Sequence, residues 1–171
     1  MASDSTFAGE PVKEIGELDF LLGTFQGQRL LTLEELDLGD PGTECTVTET
    51  FSWAINKTAL LGQMSIEVNG EKVDTELTII YRDRLTGTIV SRDFLQHGAE
   101  FKSRIYRVGK GKYVASAVTE TPKKDGRIST MQYAFEVVGP NVRSTQLTHI
   151  YTAGEKTTDA APVVLRRVKQ K

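Results

Sequence analysis

From residue 43 almost to its end, the chain alternates side-chain character with a period of two, interrupted by gaps of hairpin length. Successive side chains of a strand point to opposite faces, so this pattern fits strands with one face buried. Just ahead of it lies the stretch Leu18-Asp19-Phe20-Leu21-Leu22-Gly23-Thr24-Phe25-Gln26-Gly27, a short apolar turn leading into a Gly-x-aromatic strand opening. Strand following strand with short links describes a single sheet wound up and down, with its entry segment plugging one end.

Residues 1–10 are small and polar and read as a disordered N-terminal tail; residues 11–171 read as one domain. Pro11 suits a first helical turn, and Ile15, Leu18, Leu21 and Leu22 recur at three- and four-residue steps. A short helical segment over 11–22 is expected, stopped by Gly23, with its apolar face capping a barrel mouth. Strands follow over 24–32, 43–54, 58–68, 72–82, 88–96, 99–108, 112–120, 127–138, 142–152 and 163–168. The gaps carry turn chemistry: Gly39-Asp40-Pro41-Gly42, Asn69-Gly70, Gly109-Lys110-Gly111, the polar loop 122–126, and Gly139-Pro140-Asn141. The fold class is therefore all-β, an antiparallel up-and-down barrel of about ten strands. Closure follows because a flat meander of that width would twist and leave two edges open. The last strand then pairs with the first, where Arg166 or Arg167 can meet the Phe25 ring.

Composition narrows the function. With 21 basic and 23 acidic side chains the net charge is −2, which offers nucleic acid no basic face. No apolar run has the length of a membrane span, and residues 1–10 lack the pattern of a signal peptide. The single cysteine, Cys45, excludes an internal disulfide and fits a reducing, cytoplasmic setting. The expected partner is a small lipophilic or aromatic molecule, with neither nucleic acid nor membrane; a homodimer stays open.

Chemistry-bearing motifs are thin. There is no phosphate loop, no Cys-x-x-Cys, no His-x-x-x-His and no Gly-x-Ser-x-Gly. His97, before Gly98, reads as a solvated turn residue. His149 shares a face with Leu147 and Tyr151, as a hydrogen-bonded wall residue or a pocket base. Glu49 lies between Val47 and Phe51 on the face that carries Cys45 and Trp53. If that face points inward, burial raises its pKa, or it pairs with a buried cation; the expected partner is Arg92, alternating with Val90 and Phe94, or His149. A bulge turning Glu49 outward, or a Glu–Arg pair that only organises the interior, is the simpler alternative. Met64, in line with Leu60, Gly62 and Ile66, and Tyr81, in line with Val73, Thr75, Leu77 and Ile79, complete the expected wall. The candidate ligand-binding set is thus Glu49, Phe51, Trp53, Met64, Tyr81, Arg92, Phe94, His149 and Tyr151. No catalytic residue and no metal site is assigned.

Gly23-Thr24-Phe25 together with an arginine-bearing last strand resembles the signature of the calycins, the lipocalin and fatty-acid-binding superfamily. More closely, LDFLLGTFQGQ and the ending APVVLRRV resemble nitrobindin-like barrels. ETFSWAINKTALLGQ is similar to a segment of an uncharacterised bacterial family of the same fold. The nitrobindin resemblance implies a heme held by a histidine about five residues before the leucine of the final strand. Counting back from Leu165 reaches Ala160, beside Asp159, and no histidine stands there. Heme is therefore disfavoured, and the cofactor stays unknown.

Three readings compete. One is binding of a small lipophilic or aromatic molecule inside the barrel. Another is a cofactor-free isomerase, cyclase or hydrolase in the same cavity, with Glu49, His149 or Tyr151 as acid or base, or a heme protein using a ligand such as His149. The third, an interaction module without a cavity, is weakened by the threonine and charge of the outward faces.

Overall fold

In the computed structural model the described residues are 9–31, 38–40, 42–96, 98–119, 129–152, 155–156 and 159–168. A two-residue strand, β1 (Glu10–Pro11), precedes a 3-10 helix at Ile15–Leu21. The long strands are β2 (Gly23–Leu30), β3 (Glu44–Ala54), β4 (Ala59–Val68), β5 (Glu71–Arg82), β6 (Ile89–Leu95), β7 (Glu100–Gly109), β8 (Lys112–Thr119), β9 (Ser129–Gly139) and β10 (Val142–Thr152). The short β11 (Glu155–Lys156) pairs with β10, and β12 (Val163–Arg167) is the last strand.

Every long strand pairs antiparallel with its neighbour in sequence, and β12 lies between β10 and β2, closing a barrel of 10 strands. All ten expected strands are present. The expected hairpin loop at 122–126 and residues 127–128 lie outside the described residues, as does His97. The helical segment is shorter than 11–22 and is a 3-10 helix, because Pro11 is taken up in β1, paired with Tyr106.

The helix lays Leu18 and Leu21 over one mouth, where they join Val12, Leu60, Ile80, Ile89, Ile105, Tyr113 and Phe135 in the main core. Tyr113 stacks on both Phe20 and Phe135 there, with ring centroids 5.0 and 5.8 Å apart. A second core of Leu31, Cys45, Val47, Ile66 and Val68 fills the other end. Between these two apolar plugs lies a layer of polar side chains.

Two bulges decide which side chains enter that layer. In β5, Ser65 pairs with Asp74 and Met64 with Glu76, so Thr75 is extra. The strand changes phase there: Glu76, Thr78 and Ile80 face inward, while Leu77, 42% exposed, faces out. In β10, Thr148 pairs with Gln132 and Tyr151 with Thr130, and His149 adopts a left-handed φ of 50°.

Candidate functional site

The middle layer is organised around one arginine. Arg143 of β10 is 1% exposed, and its Nη2 donates to Glu49 Oε2 at 2.5 Å. Its Nη1 donates to the carbonyl of Leu21 at the end of the 3-10 helix, at 3.4 Å. The guanidinium lies 4.2 Å from the Phe25 ring centroid and 5.5 Å from that of Phe51. Tyr133 of β9 donates its hydroxyl to the other Glu49 oxygen at 3.0 Å. Both carboxylate oxygens of Glu49 are therefore engaged, which offsets the cost of holding that charge out of water. Burial, reinforced by the Glu49 charge, pushes the Tyr133 phenol well above its ordinary range, so it stays a donor.

A second ring of the same network holds the barrel shut. Arg167 of β12 lies 4.5 Å from the Phe25 centroid and donates to the Leu22 carbonyl at 2.6 Å. Of the two arginines expected near Phe25, Arg167 makes the contact. Gly23 accommodates it: φ is +100°, and a Cβ there would stand 2.3 Å from Arg167 Nη1.

Beside this network β5 and β6 present two acids. Thr78 Oγ1 donates to Glu76 Oε1 at 2.9 Å, and Ser91 Oγ donates to Asp93 Oδ2 at 3.0 Å. Glu49, Met64 and Glu76 stand in one row across β3, β4 and β5, and Thr78 pairs with Asp93 in the next. Burial, and then the nearby Asp93 charge, pushes Glu76 up to about 8. Burial likewise raises Asp93 to about 6. Neither acid forms an ion pair with a described residue.

Of the nine residues expected at the site, Glu49, Phe51, Trp53 and Met64 do face inward. The other five do not. Tyr81 pairs with Ala59 and lies in line with Leu77 on the outer face, because the bulge at Thr75 reverses the second half of β5. That reversal carries into β6: Ser91 pairs with Ile80 and Asp93 with Thr78, so Arg92 and Phe94 turn outward. Phe94 is 38% exposed, and Arg92 pairs with Glu100 at 2.7 Å on the outside. His149 is exposed in its bulge, its backbone N–H donating to Asp159 Oδ1 at 2.7 Å. Tyr151, beyond the bulge, also faces out. The partner of Glu49 is thus Arg143, not Arg92 or His149.

Arg143, Tyr133, Glu76 and Asp93 are the interior polar residues that sequence reasoning missed. For Arg143 a signal existed, since it shares its alternation with Thr145 and Leu147, the interior side of β10. Ala160 lies beside β10, its N–H donating to the Leu147 carbonyl and its own carbonyl accepting from Gln146 Nε2, both at 3.0 Å. Among the described residues no group of three or more metal-ligating side chains converges, and no helix is long and apolar enough to cross a membrane. No family model matches the chain, and no curated protein matches it.

Proposed function

We propose that this chain binds a small, largely apolar or aromatic molecule inside its barrel. The observation that carries this reading is the incomplete burial of side chains that point inward. Phe51, Trp53, Met64 and Tyr133 face the interior yet keep part of their surface accessible, unlike Leu60 or Ile80 in the plugged end. Surface left on inward-facing side chains borders the barrel interior or its mouth, and Trp53, paired with Leu60, stands near the mouth that the helix covers. An apolar wall with a few polar groups is the usual make-up of a small-molecule site. The closed ten-strand barrel, the helical plug and the Arg167–Phe25 contact support a calycin-like assignment, in which the lumen is the working part.

Catalysis in the same lumen is the second reading, and its acid–base candidate is Glu76, the carboxyl whose proton is held to near neutral pH. Glu49 is engaged by Arg143 and Tyr133, while His149 and Tyr151 face away from the lumen. Heme is left out of this reading because Ala160 stands where the nitrobindin resemblance requires histidine.

The test is native mass spectrometry of the protein as purified, followed by a screen of aromatic and lipophilic compounds. Binding is expected to shift Trp53 emission and raise the melting temperature together. A screen in which neither moves, with no retained mass, refutes the reading.

A further inference from the structure

We propose that Tyr133 is the hydrogen-bond donor for a carbonyl-bearing molecule in the lumen, released from Glu49 as the Glu49 carboxylate closes onto the unpaired Nε of Arg143. This rests on the lumen-binding reading above and adds the chemical class of the ligand. Among the described residues, Arg143 Nε is the buried side-chain nitrogen that has no hydrogen-bond partner. Buried donors are ordinarily paired, and an idle one on a charged group is costly. Arg143 is 1% exposed, so the lumen does not reach Nε. Its partner has to come from a group already packed against the guanidinium.

Glu49 is that group. Nε and Nη2 share one edge of a planar guanidinium, where their N–H bonds run parallel and suit the two oxygens of one carboxylate. Nη2 already holds Glu49 Oε2 at 2.5 Å, but Oε1 is taken by the Tyr133 hydroxyl at 3.0 Å. The ion pair is therefore made through one bond where its donors offer two. Arg143 itself is fixed: Nη1 donates to the Leu21 carbonyl, and the Phe25 and Phe51 rings lie 4.2 and 5.5 Å from the guanidinium. The carboxylate is the partner left to turn.

Turning Oε1 toward Nε takes the acceptor away from Tyr133, and a ligand oxygen replaces it. Without ligand, Tyr133 donates to Oε1 and Nε is idle. With ligand, Nε donates to Oε1 and Tyr133 donates to the ligand, one hydrogen bond more and no buried donor left over. Tyr133 is placed for this exchange, because it is only half-buried where Arg143 is sealed. Its phenol keeps its proton far above neutral pH, so it offers a donor throughout the working range. The acceptor it selects is neutral. Glu49 and Arg143 already cancel each other, and Glu76 stands in the same row as Glu49, so a ligand carboxylate finds no spare positive charge. A ketone or ester carbonyl on an otherwise apolar molecule suits a donor set beside the half-buried Phe51 and Met64.

The test uses 4-phenylbutan-2-one and butylbenzene, which differ only at the carbonyl. Both are titrated into the full chain and into Tyr133→Phe by Trp53 emission, with melting curves to check the fold of the variant. In Tyr133→Phe the ketone should bind about three- to tenfold more weakly, the range of one neutral hydrogen bond, while butylbenzene stays within about twofold of the parent. Two readouts follow the exchange in the parent alone. The infrared carbonyl stretch of the bound ketone should lie below its value in hexane. The Arg143 Nε–H resonance should move downfield when the ketone binds. In ligand-free Tyr133→Phe that resonance should already stand downfield, because Glu49 has lost its competing donor. If the variant weakens both probes alike or neither, if only butylbenzene binds, or if the Nε–H resonance stays in place with ketone bound, the carbonyl assignment is wrong and the lumen reading stands. If neither probe binds the parent, both fail.

Discussion

Replacing Glu76 by Gln should make the protein more heat-stable by an amount that grows from about pH 4.5 and levels off near pH 8. In the unfolded chain a glutamate titrates near 4.5, whereas in the barrel burial and the Asp93 charge hold the proton until about pH 8. The folded pKa lies above the unfolded one, so the folded state is the stronger proton binder between the two values. Its contribution is fully present below pH 4.5 and is lost as the pH climbs through that window. At about 1.4 kcal/mol per pH unit, the gap sets a ceiling of roughly 5 kcal/mol. Water in the lumen and rearrangement of Thr78 screen part of it, leaving about 2–3 kcal/mol. For a chain of this length that corresponds to roughly 4–10 °C in melting temperature. Gln keeps the shape of the protonated acid and does not titrate. Melting curves of parent and Glu76→Gln should therefore agree within about 2 °C at pH 5 and separate by the larger amount at pH 9. An offset that is the same at both pH values, or a variant that melts lower at pH 9, would refute the placement of Glu76 as a strained interior acid.

Truncating Arg143 to Met should cost about 3–5 kcal/mol in urea unfolding, because Glu49 is left as an uncompensated buried charge. Combining it with Glu49→Gln should recover a large part of that loss, and a double variant no better than Arg143→Met would contradict the pairing. By contrast, Arg92→Ala, which removes a half-exposed pair with Glu100, should change stability by less than about 1 kcal/mol in the same assay. Gly62→Ala should destabilise by about 1–3 kcal/mol, since the added methyl would stand 2.3 Å from the Phe51 ring. Adding Phe51→Leu to Gly62→Ala should restore part of the loss, and the pair of denaturation curves decides it.

The strand count and the plug were legible because each rests on local chemistry: period-two alternation, turn residues, and a Gly-x-aromatic opening. The face of β3 that carries Cys45, Val47, Phe51 and Trp53 was the more apolar one in the sequence, and it does point inward. β5 and β6 were not legible. Val73 faces inward as its alternation suggests, but the extra residue Thr75 exchanges the faces beyond it, and no glycine or proline in β5 announces a bulge. In β6 the apolar Val90 and Phe94 outweighed Ser91 and Asp93 in a sequence reading. Pairing with a β5 already out of phase puts the polar pair inside instead. The same blindness hid the partner of Glu49. Arg143 comes 94 residues later, and only barrel closure brings the two strands to opposite sides of one interior.

The contacts that seat the plug impose an order on biosynthesis. The carbonyls of Leu21 and Leu22 wait for donors made 122 and 145 residues later, Arg143 and Arg167. At about 5–20 residues per second, the emerging chain spends roughly 7–30 seconds with its helix unlatched and the free edge of β2 without β12. During that interval a growing meander has a sticky first strand and an unoccupied mouth, the two features that attract neighbouring nascent chains. Any treatment that slows synthesis of the last strands lengthens that interval, so aggregation during expression should depend on the rate of translation more than on the stability of the finished barrel.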